Sequence, residues 1–160
     1  MPGLARFIQY IPPELFTMLP SLSVLLASIA VLVTSSSAQQ AHIQSPQSGF
    51  QVSASQSFTV EVETPPFLSS SEEVSVVLGY KPCGTMLCLS PSETGIGEVL
   101  YKGDYNPQRG TGLNVQQNFT VTIPTWASPG PAMLSLVHYA LIGAVNIPWM
   151  ESKAINLTVV

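Results

Sequence analysis

Proline and glycine interrupt this chain at such close intervals that long helices are disfavoured: 14 prolines and 11 glycines fall within 160 residues. Proline removes a helical hydrogen bond and glycine loosens the backbone, so the segments between them must find order in something shorter. Those segments alternate apolar and polar residues. In "SFTVEVET", Phe58, Val60 and Val62 share one face while Thr59, Glu61 and Glu63 share the other, as a half-buried strand requires. "EVSVVLGY" repeats the pattern through Val74, Val76 and Leu78, "NFTVTIP" through Phe119, Val121 and Ile123, and "AINLTVV" through Ile155, Leu157 and Val159. "GEVLYKGDY", a leading strand near "AHIQSP", and "AMLSLVHYAL" with Ala132, Leu134 and Leu136 alternating behind "SPGP" complete the set. The near-continuous apolar content of "AMLSLVHYALIGAV" also suits a helix, but "PGP" precedes it and Gly143 interrupts it, which favours strand. About seven short strands and no convincing helix predict an all-β fold, a single immunoglobulin- or fibronectin-like antiparallel β-sandwich.

The N-terminus sets the compartment. "LPSLSVLLASIAVLV", Leu19 to Val33, is uncharged and mostly apolar, yet shorter than the roughly 20 residues a membrane-spanning helix needs. Ser36 and Ala38 supply the small residues a signal peptidase reads, which places cleavage between Ala38 and Gln39. Residues 1–38 are therefore expected to be a signal peptide and residues 39–160 a secreted, extracellular β-sandwich domain. The segment ahead of the apolar run carries only Arg6 as a positive charge, and Met18 would begin a cleaner leader. "INLTVV" is too short for a lipid-anchor signal, so no stable membrane anchor is expected. After Ala38, Lys81, Lys102, Arg109 and Lys153 face eight carboxylates. So acidic and charge-poor a surface argues against nucleic acid as a partner, since that needs clustered Lys and Arg.

Cys83 and Cys88 are the only cysteines. A zinc site needs about four ligands, and this pair has no nearby third Cys or His. Redox pairs of the thioredoxin type are separated by two residues rather than four and open a helix. In a secreted chain a lone pair favours a disulfide, here closing a small loop. The sequons "NFT" at Asn118 and "NLT" at Asn156 mark candidate glycosylation sites. Strand parity turns both asparagines outward if Phe119, Ile155 and Leu157 point in, as a bulky glycan requires.

Catalytic chemistry is hard to assemble. His42 and His138 are the only histidines, and Glu61 and Glu63 lie two apart on a strand face, where they read as soluble surface rather than an acid/base pair. "GIGEVLYKG" lacks the Lys-Ser/Thr ending of a phosphate loop. The sharpest enzymatic alternative is copper-dependent polysaccharide oxidation, with His42 exposed by cleavage after Ala41 and His138 and Tyr139 downstream. Against it, Gln39 stands where a small residue is wanted, and a histidine in an apolar strand is more often packed and hydrogen-bonded. Trp126, Trp149, Tyr101 and Tyr105 could form a sugar-stacking platform, although Trp126 in "TWASPG" reads better as a cap on the sandwich core. No metal and no cofactor is expected.

The segments "GEVLYKGDYNP", "QNFTVTIPTWASPGPAMLSLVHYALIGAVNIP" and "INLTVV" together resemble the family of small necrosis-inducing secreted fungal proteins. The match runs from Gly97 to Val160, with weaker agreement from "IQSPQSGFQVSASQSFTVEV". The resemblance implies a non-enzymatic secreted effector that induces plant cell death or suppresses plant immune signalling, by contacting a host protein such as a receptor-associated kinase. It offers no catalytic residues to align. A secreted cell-wall or glycan-binding module is the alternative. "KPCGTMLC" and "NPQRGTGLN" are the loops expected to make contact, because loops at one end of a sandwich are the usual binding surface.

Overall fold

A computed structural model of the chain describes residues 40–84, 88–110 and 112–160. The expected signal peptide lies outside the described residues. Among the described residues, nine strands form two sheets. β1 (His42–Ser45), β3 (Ser57–Thr64), β7 (Val115–Thr122) and β6 (Gln108–Arg109) make one, in the order β1-β3-β7-β6. The other runs β2-β9-β8-β4-β5, with β2 (Phe50–Val52), β9 (Ile147–Val159), β8 (Gly130–Ile142), β4 (Ser71–Pro82) and β5 (Glu98–Asp104). A single helical turn, α1 (Pro91–Thr94), joins β4 to β5.

The alternation in the sequence is what holds these sheets together. Val60 and Val62 of β3, with Phe119 and Val121 of β7, are buried against Val76, Leu78 and Tyr80 of β4, Leu134 and Leu136 of β8, and Leu157 and Val159 of β9. Each such aliphatic side chain contributes about 1.5–3 kcal/mol by leaving water. Tyr101 and Tyr105 close the open edge by packing on Phe119, with ring centroids 4.6 and 6.3 Å away.

The all-β sandwich is present, and it departs from expectation in three places. β2 pairs parallel to β9, through Phe50 opposite Leu157 and Val52 opposite Val159. This follows from the chain switching sheets after β1 and coming in beside the C-terminal strand in the same direction. β9 begins at Ile147, well before "AINLTVV", and forms with β8 a long hairpin in unbroken register from Gly130 opposite Val159 to Ile142 opposite Ile147. Trp126 does not cap the core: it is 55% exposed, with its ring edge-on to Tyr80 at 5.8 Å.

Two glycines let the α1 connection lie against β4. A Cβ on Gly79 would sit 2.5 Å from the Ile96 carbonyl oxygen, and one on Gly97, whose φ is +76°, would overlap the Tyr80 carbonyl. Only a residue without a side chain fits at either position.

Candidate functional site

The site is built where β4, β8 and β9 lie side by side. Ala132, Leu134, Leu136, His138 and Ala140 all face the interior from β8. His138 is fully buried. Its neighbour on β9 is Glu151, which shares the inward parity of Leu157 and Val159. Its neighbour on β4 is Glu73, and that contact depends on a bulge. The β4–β8 register jumps from Glu73 opposite Ala140 to Ser75 opposite Tyr139, so Val74 is the extra residue. A bulge reverses side-chain parity beyond it, and Glu73 therefore points in where simple alternation from Val76 would turn it out.

The result is a carboxylate–imidazole–carboxylate row across three strands. His138 Nδ1 lies 3.0 Å from Glu151 Oε1, and His138 Nε2 lies 2.5 Å from Glu73 Oε2. Burial alone would push the imidazole pKa down, but hydrogen bonds and charge from Glu151 and Glu73 outweigh it and raise the value to about 9. The ring is thus an imidazolium at neutral pH, held by two carboxylates. Glu151 Oε1 also accepts the Ala41 amide at 2.8 Å, tying β1 to the row. Glu151 Oε2 is buried and has no hydrogen-bond partner among the described residues. Tyr105 stands edge-on to the His138 ring at 5.4 Å. Its hydroxyl pairs with Thr64 Oγ1 at 2.9 Å and donates to the Val62 carbonyl. Burial pushes the phenol pKa up to about 12, with the Thr64 contact acting the other way and the charges of Glu73 and Glu63 adding to the rise.

Above this row a cleft of about 490 Å³ opens between Pro65–Phe67, Tyr105–Arg109, Leu113 and Val115, with Glu73 among its lining residues. The β8–β9 turn meets the same end of the sandwich, through the Gly143 amide donating to the Ser70 carbonyl. Leu68 is 96% exposed there, Leu113 73% and Val145 80%.

The residues singled out from sequence are distributed as follows. His42 and His138 are not brought together: His42 is on the outward parity of β1, between buried Ala41 and Ile43, with Nε2 3.8 Å from Glu63, whereas both nitrogens of His138 are taken. Tyr139 faces the opposite side of β8 from His138. Among the described residues no group of three or more His, Cys, Asp or Glu is arranged to hold a metal ion. Cys83 and Cys88 form a disulfide with Cα atoms 5.1 Å apart. Asn118 and Asn156 are exposed. Trp126 lies with Tyr80 near the disulfide end, Trp149 lies on the β8–β9 hairpin toward the other end, and Tyr105 is buried, so the four aromatics do not share a platform. The described parts of the two loops expected to act together are at opposite ends. Lys81 and Pro82 of "KPCGTMLC" are the last residues of β4, while Asn106 to Gly110 of "NPQRGTGLN", which include β6, follow the end of β5, which pairs with the beginning of β4 through Asp104 opposite Ser75.

Glu73, Glu151 and the cleft were not legible as a site. The available signal was a glutamate at inward parity in each flanking strand, which is visible only once the Val74 bulge and the full length of β9 are known.

The chain belongs to the Nis1 family, whose model matches residues 36–158 and which is a fungal effector-type family. No curated protein matches the sequence. Two solved structures of the superoxide reductase (neelaredoxin) from Ignicoccus hospitalis, one of them a variant, align over 74% of this chain and 80% of their own. Their identities are 18% and 17%, with a TM-score of 0.42 in each case. That likeness is too slight to bear on function.

Proposed function

We propose that this member of the Nis1 family is a secreted, non-enzymatic effector that acts by binding another protein, through the end of the sandwich where the cleft opens. The observation that carries the reading is a set of largely exposed apolar side chains at that end: Leu113 lines the cleft, Leu68 follows its lining segment Pro65–Phe67, and Val145 is in the β8–β9 turn that bonds to Ser70. Large apolar residues gathered on loops of a rigid scaffold mark interaction surfaces more often than they mark chemistry. The buried row beneath supports a binding role: His138 has both nitrogens engaged and is shielded from solvent, so it is a structural cation and no free base. The disulfide and the effector-type family both accord with secretion. The partner class is a plant host protein such as a receptor-associated kinase, and the outcome is cell death or suppressed immune signalling.

Expression of residues 39–160 in plant tissue, scoring cell death and immune output, tests this directly. The triple variant Leu68→Asp, Leu113→Asp, Val145→Asp should keep its near-ultraviolet circular dichroism and lose the response. Full activity in a folded triple variant would move the contact surface elsewhere.

A further inference from the structure

The β8–β9 hairpin leaves most of one strand edge without a paired strand among the described residues, with Cys88–Pro91 lying beside Ser152, Ala154 and Asn156. β2 pairs with β9 only from Leu157 onward, and among the described residues no strand pairs with residues 147–156 on the side away from β8. Which backbone groups point to that side is fixed by one observation. Asn156 receives the Gly49 amide on its carbonyl at 2.7 Å and gives its own amide to Ser48 Oγ at 3.3 Å, so both groups face away from β8. Antiparallel strands alternate their hydrogen-bonding direction residue by residue, and the register shows no irregularity. Ala154, Ser152, Met150 and Pro148 therefore face the same way. Proline is tolerated within a strand where its missing N–H would point off the sheet edge, and Pro148 sits at such a position.

Among the described residues, three thus offer both an amide and a carbonyl with no backbone partner on that side, Met150, Ser152 and Ala154. They are bounded on one side by a proline without an amide and on the other by Asn156, whose groups are already used. This set is symmetric about Ser152. From it we infer that the β9 edge pairs with the β9 edge of a second copy of this chain, antiparallel about a two-fold axis at Ser152, joining the two five-stranded sheets into one.

In that register Ser152 faces Ser152 of the second copy and Met150 faces Ala154, giving about six backbone hydrogen bonds. Pro148 falls opposite Asn156, so pairing stops where free groups stop. The intervening positions are compatible: Trp149, 40% exposed, lies opposite Ile155, while Glu151 opposite Lys153 is held by His138 and the Ala41 amide, and Lys153 by Gln40. Opposite charges and apolar pairs across strands are favourable, while like charges facing each other are not. An axis at Glu151 would bring Ala154 against Pro148, which has no amide, and one at Lys153 would bring Met150 against the occupied Asn156. An axis at Met150 would bring Ser152 against Pro148 and leave Ala154 facing the β8–β9 turn, and an axis at Ala154 would bring Ser152 against the occupied Asn156. Pairing along one edge buries less than a standard interface of about 1,600 Å², so the dimer is expected to form in the micromolar range rather than below it.

Sedimentation velocity on residues 39–160 across a concentration series should show the mass doubling. Ser152→Pro removes an amide that points away from β8, so it should leave the near-ultraviolet circular dichroism intact and keep the protein monomeric. Ser152→Cys should give a disulfide-linked dimer on mild oxidation, because facing residues in such a pair have Cα atoms about 5.5 Å apart, within disulfide reach. Val99→Cys, on the exposed β5 edge, should not. A wild-type monomer at hundred-micromolar concentration, a folded Ser152→Pro variant that still dimerises, or equal cross-linking through Val99→Cys would overturn the inference. If Ser152→Pro does not fold, the two cysteine variants decide. None of these substitutions touches Leu68, Leu113 or Val145, so the outcome is independent of the host-binding surface.

Discussion

Alkaline pH should loosen this protein well before Tyr105 ionises, and His138 is the reason. In the unfolded chain the imidazole titrates near 6.5; in the folded protein Glu151 and Glu73 hold the proton until about pH 9. Below pH 6.5 both states carry the charge, and the stabilisation is fully present. Between 6.5 and 9 the folded state binds more protons than the unfolded one, so stability falls as pH rises, and above 9 the contribution is gone. Each pH unit separating the two values is worth about 1.4 kcal/mol, so the whole effect is about 3 kcal/mol. The ring is fully buried, so solvent screening does little to reduce it. Urea unfolding at steps across this window should show the free energy of unfolding dropping by about that amount, with the denaturant slope unchanged. Tyr105, pushed up to about 12, stays outside the window. His138→Gln should abolish the pH dependence and, at the acid end of the window, cost about 3–5 kcal/mol, because two buried carboxylates lose their counter-charge. A wild-type stability that is flat or rising through this window, or a slope that survives His138→Gln, would refute the reasoning.

The disulfide and the tight connection near it give two further tests. Cys83→Ser combined with Cys88→Ser opens a small loop, so chemical denaturation should show a loss of about 2 kcal/mol with the far-ultraviolet spectrum retained; global unfolding of the double variant would be the contrary result. Gly97→Ala forces a side chain into a left-handed backbone position and against the Tyr80 carbonyl, and thermal melts should show a loss of more than about 1 kcal/mol. Gly84→Ala shares the positive φ but has nothing within 4 Å of the added Cβ, so it should lose less and separates strain from collision.

How far the sequence could be read depended on whether local periodicity survived tertiary pairing. β3 and β7 pair without a slip from Ser57 opposite Thr122 to Thr64 opposite Val115, and there Val60, Val62, Phe119 and Val121 are buried as their spacing predicts. β4 carries an extra residue at Val74, β5 carries another at Leu100 where the β4–β5 register shifts, and such a slip reverses every inference drawn from one side of it to the other on the bulged strand. Glu73 read as exposed for that reason. The early part of β9 was hidden for a different one: Pro148 and the charges of Glu151 and Lys153 look like loop, and only an edge position makes the proline harmless while a buried cation makes Glu151 acceptable inside. Trp126 misled because aromatic residues next to turns are usually buried; its ring instead covers Tyr80 from outside.

The bulge at Val74 also supports the proposed binding surface at this end of the molecule. It gives Glu73 two duties, as partner to the His138 ring and as part of the cleft lining. Tyr105 is placed the same way, with its ring against His138 and its hydroxyl on Thr64 and Val62. Two of the residues that shape the cleft are therefore fixed by the interior of the sandwich rather than by the loops above it. Because binding costs less when the surface is ordered beforehand, a partner meeting the exposed loop residues Leu68 and Leu113 would close over a floor that needs no rearrangement. The same wiring predicts that deprotonating His138 weakens partner binding along with stability, and that a Tyr105→Phe variant, which keeps the ring but not the hydroxyl bonds, should reduce affinity less than Glu73→Gln in a binding assay at neutral pH. Equal losses from the two would show that the Tyr105 hydroxyl holds the cleft as much as the charged row does, against this reasoning.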